Sequence, residues 1–185
     1  EVTPGEIGCT LSHYDCVKDA YESGYDNIMI LEEDFISTRT FPTDKMFEEL
    51  DKDWSMVYLA RNAQNPSLET DASENILNSH YSYNTHAYML SRKGMSEILD
   101  SKLLNNVIAI DEFYSALNGK HDREDAIKVF SGTGFKQYAF KQSYVNQAPT
   151  TSKSLTLSDE MLKPKIGSNN KPEWLDDKIM DESKK

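Results

Sequence analysis

The first third of the chain changes from helical to strand-like spacing of its apolar residues. Apolar side chains recur every three or four positions between Ile7 and Tyr21, as on one face of a helix. Thr3 and Glu6 have the spacing of a capping box. A helix is therefore predicted from about Thr3 to Glu22. The apolar run at 28–31 is too short for a helix face and predicts a buried strand. Three acidic residues follow it directly.

The remaining pattern predicts further short elements, a long loop and a tail. Helices are expected at 43–50, from about 92 and from about 111, and strands at 54–60, 80–91, 126–130 and 137–140. Positions 61–79 are polar and without periodicity, which predicts a surface loop. Helices that alternate with short strands are typical of an α/β domain with a mixed sheet. We therefore expect one domain at 1–150 and a polar tail at 151–185 that is weakly packed or disordered.

The acidic triplet Glu32, Glu33 and Asp34 stands where the predicted strand leaves the core. Carboxylates at such a place need water or a cation, because an unpaired charge in a low-dielectric interior is costly. On an extended chain Glu32 and Asp34 would face the same side and offer two oxygen ligands to one Mg²⁺ or Mn²⁺. A solvated turn after a strand is the alternative that these residues leave open.

Composition excludes several classes of function. The chain has 20 Lys and Arg against 31 Asp and Glu, a formal charge of −11, which argues against nucleic acid or an anionic membrane surface as a partner. No apolar run approaches the roughly 20 residues of a membrane span. Zinc-protease, phosphate-loop, dinucleotide and serine-hydrolase motifs are missing from the sequence. Cys9 and Cys16 lie about 10 Å apart along the first helix, too far for a disulfide. They are interpreted as small buried hydrophobes, with a metal or redox pair as the alternative.

Five segments, in this order along the chain, resemble glycosyltransferase family 25, which includes bacterial lipooligosaccharide and procollagen galactosyltransferases. They are PGEIGCTLSH at 4–13, ILEED at 30–34, DWSMVYLAR at 53–61, YSYNTHAYMLS at 81–91 and IDEF at 110–113. The last segment favours the collagen-type branch. The resemblance implies a GT-A-like mixed sheet flanked by helices in a single domain, here without the family's N-terminal βα unit. It also implies a UDP-sugar donor, most often UDP-galactose, held through Mn²⁺ or Mg²⁺.

The same resemblance assigns roles to ten residues. The triplet Glu32, Glu33 and Asp34 matches the family's Glu-Asp-Asp metal motif, with Asp34 as the foremost ligand. The remaining matches are Asp111 and Glu112 at a second acidic, catalytic site, Ser12 and His13 near the donor, and Tyr83, Thr85 and Tyr88 on the donor-side hairpin.

The implied reaction transfers a hexose, galactose first of all, to a hydroxyl group of hydroxylysine in a collagen-like protein or of a lipooligosaccharide sugar. Three departures keep open a catalytically degenerate binding or assembly module: Glu33 where the family has Asp, Thr151 where collagen-type members have His, and the absent front unit. A hydrolase of nucleotide-sugars is a further alternative. The last residues, 181–185, carry no endoplasmic-reticulum retention signal, which favours a cytoplasmic, microbial or viral setting over the reticulum lumen.

Overall fold

The computed structural model describes residues 2–42 and 44–147, and these form an α/β domain. The predicted tail, Thr151 and Thr43 lie outside the described residues. The helices are α1 (Pro4–Glu22), α2 (Asp44–Phe47), α3 (Arg92–Leu99), α4 (Ile110–Leu117) and α5 (Glu124–Phe130), with 3₁₀ turns at Pro66–Leu68 and Leu103–Asn105. The strands are β1 (Asn27–Leu31), β2 (Phe35–Ser37), β3 (Met56–Ala63), β4 (Thr70–Asp71), β5 (Ile76–Asn78), β6 (Ser82–Ser91), β7 (Gln137–Phe140) and β8 (Val145–Gln147).

Six of these strands form one mixed sheet in the order β1-β6-β3-β7-β5-β4. The pair β3 and β7 is parallel, whereas the other neighbouring pairs are antiparallel. A separate antiparallel pair joins β2 to β8. The predicted mixed sheet flanked by helices is thus confirmed, in a form consistent with a GT-A-like fold. Among the described residues no helix is long and apolar enough to cross a membrane.

Side chains of β3 alternate between two apolar cores, one on each face of the sheet. Met56 and Tyr58 pack into the core that α1, α3, α4 and α5 cover, whereas Val57 and Leu59 pack into the opposite core with β8 and residues near α2. All four side chains are at most 1% exposed. A strand buried on both faces gives a continuous apolar run, which is why 56–60 was recognisable from the sequence.

Helix α1 begins as predicted, with the reciprocal Thr3 and Glu6 capping bonds in place. Its buried face is different from the predicted one. The side chains turned inward are Thr10, His13, Val17 and Ala20, while Cys9 and Cys16 are exposed, so the interpretation of the cysteines as buried hydrophobes is wrong. Each cysteine stands one position before a buried residue, which rotates it by about 100° away from the sheet.

Strand β1 exists as predicted but is not buried. It lies at the edge of the described sheet with β6 as its neighbour, and its residues range from half-buried to exposed, with Met29 at 40% exposure. Apolar composition alone cannot distinguish an edge strand from a central one.

Two further predictions from periodicity are wrong. The loop expected at 61–79 contains the end of β3, a 3₁₀ turn and strands β4 and β5, which extend the sheet beyond β7. Strands of two and three residues are too short to show a periodicity. The strand expected at 126–130 is helix α5, whose buried residues Ala126 and Phe130 are four positions apart, as on one helix face.

Candidate functional site

The predicted site residues meet at the end of the sheet where β1 finishes and β6 starts. Because these strands are antiparallel, with Leu31 opposite Ala87, the residues that follow β1 lie beside the first residues of β6. The middle of α1 and the first turn of α4 close the same end. Two neighbouring cavities of about 220 and 470 Å³ open here, and Asp111 and Asn84 line both.

Glu32 is held by side chains from α1 and β6. Thr85 donates a hydrogen bond from Oγ1 to Glu32 Oε1 at 3.0 Å, and His13 Nε2 lies 3.3 Å from the same oxygen. The hydrogen bond from His13, aided by the one from Thr85, lowers the pKa of Glu32 against the opposing effect of burial. Glu32 is therefore a fixed carboxylate on the wall of the smaller cavity.

A buried chain of hydroxyl groups stands behind His13. Its Nδ1 lies 2.7 Å from the Tyr88 hydroxyl, which lies 2.8 Å from the hydroxyl of Tyr114. Both tyrosines are fully buried, and desolvation raises the pKa of each. Tyr88 was predicted to be a donor contact, but the structure places its hydroxyl behind His13, which in turn contacts Glu32.

The acidic triplet forms a tight turn rather than an extended segment. The backbone N–H of Phe35 donates to the Glu32 carbonyl at 3.2 Å, with Glu33 and Asp34 at the corners of the turn. The expectation that Glu32 and Asp34 face the same side of an extended chain is therefore wrong, because alternation requires strand geometry. Glu33 is exposed and lines neither cavity.

Asp34 is tied to β8 by one oxygen only. Gln147 donates from Nε2 to Asp34 Oδ2 at 2.7 Å, whereas Oδ1 is buried without a hydrogen-bond partner among the described residues. A buried carboxylate oxygen without a donor is costly, so it calls for a cation or a water molecule. In this respect Asp34 fits a hard divalent cation such as Mn²⁺.

Asn84 connects the two acidic groups of the site. Its side chain donates to Gln147 Oε1 at 3.2 Å, and its backbone N–H points at Asp111 Oδ2 at 3.5 Å. It has φ of 67°, in the left-handed region that non-glycine residues seldom adopt, although Asn tolerates it best. The sequence carries no signal for this conformation, since the residue lies inside a strand pattern.

Asp111 and Glu112 lie in the first turn of α4, and neither caps it. The N-cap is Ala109, and Asp111 Oδ1 accepts instead from the backbone N–H of Glu112 at 2.9 Å. Burial raises the pKa of Asp111, with smaller opposing contributions from the backbone N–H groups of Glu112 and Asn84. A carboxylate with a raised pKa at a cavity wall suits proton transfer.

Glu112 is positioned by a network that sequence reasoning missed. The backbone N–H of Arg123 donates to His121 Nδ1 at 2.8 Å, which places the imidazole proton on Nε2, 2.7 Å from Glu112 Oε2. The hydroxyl of Tyr81 donates to Glu112 Oε1 at 3.0 Å, and that of Tyr83 lies 3.3 Å from the same oxygen. His121 gives no local sequence signal, because it lies between α4 and α5 and its partner is nine residues earlier in the chain.

Five of the predicted site residues line neither cavity: Ser12, His13, Glu33, Asp34 and Tyr88. Of these, Ser12 has its hydrogen bond within its own helix. It is exposed on α1, and its hydroxyl donates to the Gly8 carbonyl of the same helix at 2.9 Å. Cys9, one turn before His13, takes its place on the wall of the smaller cavity. Burial, followed by the charges of Glu32 and Asp111, raises the pKa of the Cys9 thiol.

Replacement of Asp111 by Asn is expected to raise thermal stability at neutral pH. The pKa of Asp111 in the folded chain is raised above the ordinary 3.8, so the folded chain binds the carboxyl proton more strongly than the unfolded chain does. The free energy of unfolding therefore falls as the pH rises from the unfolded pKa through the folded pKa. The stability gain of Asp111→Asn should therefore shrink as the pH is lowered towards about 4. Thermal unfolding from pH 4 to pH 8 measures it.

Asp125→Asn is the matched control for that measurement. A hydrogen bond from Arg123 lowers the pKa of Asp125, so this variant should lose a small amount of stability at neutral pH rather than gain any. If the difference in thermal stability between wild type and Asp111→Asn is the same across the whole pH range, Asp111 is not a buried carboxyl group with a raised pKa.

Comparison with known proteins agrees with this geometry. Residues 1–114, more than half of the chain, match the family Glycosyltransferase family 25 (LPS biosynthesis protein). The chain is 30% identical to human "Inactive glycosyltransferase 25 family member 3" over 66% of its length and 29% identical to "Procollagen galactosyltransferase 1-B" of Xenopus laevis over 75%. It is 23% identical to "Procollagen galactosyltransferase 1" of Danio rerio over 82%.

The chain spans only 22%, 24% and 28% of the lengths of these three relatives. The matched segment nevertheless contains all ten residues that sequence analysis placed at the site, from Ser12 to Glu112. The chain therefore belongs to glycosyltransferase family 25.

Proposed function

We propose that this chain is a metal-dependent hexosyltransferase that moves galactose from UDP-galactose to the hydroxyl group of hydroxylysine in a collagen-like protein. The observation that carries the proposal is the chain of hydrogen bonds that joins Asp34 to Asp111 through Gln147 and Asn84, beside the two adjoining cavities that Asp111 lines. Such an arrangement separates a group for the donor diphosphate from a group for the acceptor. The relatives named as procollagen galactosyltransferases support galactose as the sugar and hydroxylysine as the acceptor.

Asp34, with support from Glu32 and Glu33, would hold the divalent cation. When bound, Mn²⁺ or Mg²⁺ would neutralise charge that develops on the departing diphosphate. The partnerless oxygen of Asp34 supports this role most directly, and Gln147 keeps the carboxylate in place by its bond to the other oxygen.

The second acidic group would serve the acceptor. Asp111, whose pKa is raised by burial, is suited to accept the proton of the attacking hydroxyl group. Glu112 is fixed by Tyr81 and His121 and would orient a hydroxyl or ammonium group of the acceptor in the larger cavity. Arg123, which also lines this cavity, is occupied by Asp125.

Binding of UDP separates this proposal from its main alternative. Calorimetric titration of the chain with UDP should show binding in the presence of Mn²⁺ that is weakened at least tenfold when the metal is removed by a chelator. Equal affinity with and without Mn²⁺ would contradict a metal-held donor. Magnesium serves as the second metal, and calcium, which prefers larger coordination shells, as a control.

Transfer is then measured with UDP-galactose and a peptide that contains hydroxylysine. A matched peptide with lysine at the same position lacks the acceptor oxygen and should remain unmodified. Transfer to a lipooligosaccharide acceptor instead would move the assignment to the bacterial branch. Release of free galactose without any acceptor would identify a nucleotide-sugar hydrolase.

A catalytically degenerate binding module is the second candidate. It is favoured by the human relative named as inactive and by the exposed position of Glu33, which replaces the family's Asp. This candidate predicts that acceptor peptide binds while no galactose is transferred at any concentration of Mn²⁺.

A further inference from the structure

Three side chains of different chemistry converge beside the smaller cavity, where Cys9 and Glu32 lie on the cavity wall and His13 lies behind Glu32. Cys9, His13 and Glu32 each offer one ligand atom, and these atoms lie within 4.8 Å of one another. His13 Nε2 and Glu32 Oε1 lie 3.3 Å apart. A nitrogen and an oxygen bound to one tetrahedral ion at about 2.0–2.1 Å stand about 3.3 Å apart, so this pair already has the spacing of two metal ligands.

The local structure prepares the group in the way that metal sites require. Cys9 and His13 are four residues apart on α1 and therefore project from the same side of the helix. The second ring nitrogen of His13 is held by the buried Tyr88 hydroxyl, and Glu32 is held by Thr85. Hydrogen bonds of this kind fix the tautomer and orientation of ligands in known metal sites.

The surroundings of the group are negative and offer no competing cation. The smaller cavity is lined by the carboxylates of Glu6, Glu32 and Asp111, and none of its described lining residues is Lys or Arg. Cys9 is exposed and unpaired with any other thiol, so it is free to approach an ion from the solvent side.

We propose that Cys9, His13 and Glu32 form a binding site for Zn²⁺ or a similar thiophilic divalent ion. Three protein ligands of the S, N and O type leave a fourth position for water or a small ligand, as in catalytic zinc sites. The soft sulfur and imidazole donors favour Zn²⁺ over Mn²⁺ and Mg²⁺. The site shares Glu32 with the proposed donor-side cation but does not depend on glycosyl transfer.

Cobalt provides the test, because Co²⁺ occupies zinc sites and reports a thiolate ligand by a charge-transfer band in the near ultraviolet. The chain contains two cysteines, Cys9 and Cys16, so such a band can arise only from one of them. Reduced protein titrated with Co²⁺ in the absence of UDP should develop the band, and excess Zn²⁺ should remove it.

Variants identify the ligands. Cys9→Ala should abolish the band, while Cys16→Ala, which removes the other exposed thiol of the same helix, should leave it unchanged. Glu32→Gln keeps an acceptor for Thr85 but removes the charged ligand, and should weaken Co²⁺ binding at least tenfold.

The proposal is overturned if wild-type protein shows no band, or if Cys9→Ala leaves the band intact. Loss of the band in Cys16→Ala would likewise contradict the assignment. A second readout uses the same pair of thiols: bound Zn²⁺ should slow alkylation of Cys9 and leave alkylation of Cys16 unaffected. Because both readouts need neither donor nor acceptor, they are independent of whether the transferase proposal holds.

Discussion

Asp34→Ala is expected to reduce galactose transfer on the order of a hundredfold or more and to abolish the dependence of UDP binding on Mn²⁺. The substitution removes the carboxylate whose Oδ1 has no donor, together with the acceptor of the Gln147 hydrogen bond. Loss of a hydrogen-bonding partner of a metal ligand typically costs about 10–100-fold in metal affinity or activity. Loss of the ligand itself costs more. Initial rates of transfer and UDP titrations with Mn²⁺ provide the measurement.

Two matched variants make this result specific. Asp34→Asn keeps an acceptor for Gln147 and removes the charge, so it should be impaired in metal dependence while its thermal stability stays close to that of wild type. Asp19→Ala removes an exposed carboxylate from α1 and should change neither property. Full activity of Asp34→Ala with unchanged metal affinity would remove Asp34 from the site.

The largest effect on folding is expected for Gly94→Ala, which should lower the free energy of unfolding by about 3 kcal/mol or more. A methyl group at this position would overlap the backbone carbonyl of Ser55, at 2.7 Å from its carbon atom. The obstacle is backbone, and Ser55 is fixed by a hydrogen bond from the Ser91 N–H to its carbonyl oxygen, so the chain cannot yield without separating α3 from the sheet. Urea unfolding at constant pH measures the loss.

Gly8→Ala is the control for that experiment. Gly8 lies inside α1 with nothing within 4 Å of the added methyl group, so the same substitution should stabilise the chain by roughly 0.5–1 kcal/mol through helix propensity. Opposite signs for two Gly→Ala changes in helices would show that close approach to Ser55, rather than loss of backbone freedom, governs position 94. Equal small effects would contradict the packing described here.

The sequence was sufficient for elements whose signal is local. The capping box at Thr3 and Glu6 located the start of α1, and continuous apolar runs located β1 and β3. Prediction from the sequence failed for elements whose apolar pattern is weak or suits both a helix and a strand. Strand β4 has two polar residues and β5 only three residues, both too short for a periodic signal. The apolar residues of α5 lie close enough together in the sequence to suit a strand as well as a helix.

The candidate site was predictable as a set of acids but not as a geometry. The segments that carry Glu32 and Asp111 were identified by resemblance, yet their partners come from distant parts of the chain: Gln147 lies 113 residues beyond Asp34, and Asn84 lies 27 residues before Asp111. Contacts of this range leave no trace in local periodicity. The exposure of Cys9 was missed for a related reason, because a rotation of α1 by one residue exchanges its buried and exposed positions.

The left-handed backbone at Asn84 has a consequence for how this site tolerates change. The two acidic groups are joined through Asn84 and Gln147, and Asn84 has a φ of 67° within β6. The separation between the donor side and the acceptor side therefore depends on a backbone dihedral angle as well as on the side chains of this link. A mutational scan at position 84 should accordingly accept Gly and Asp and reject valine and isoleucine, although neither branched residue would touch a substrate.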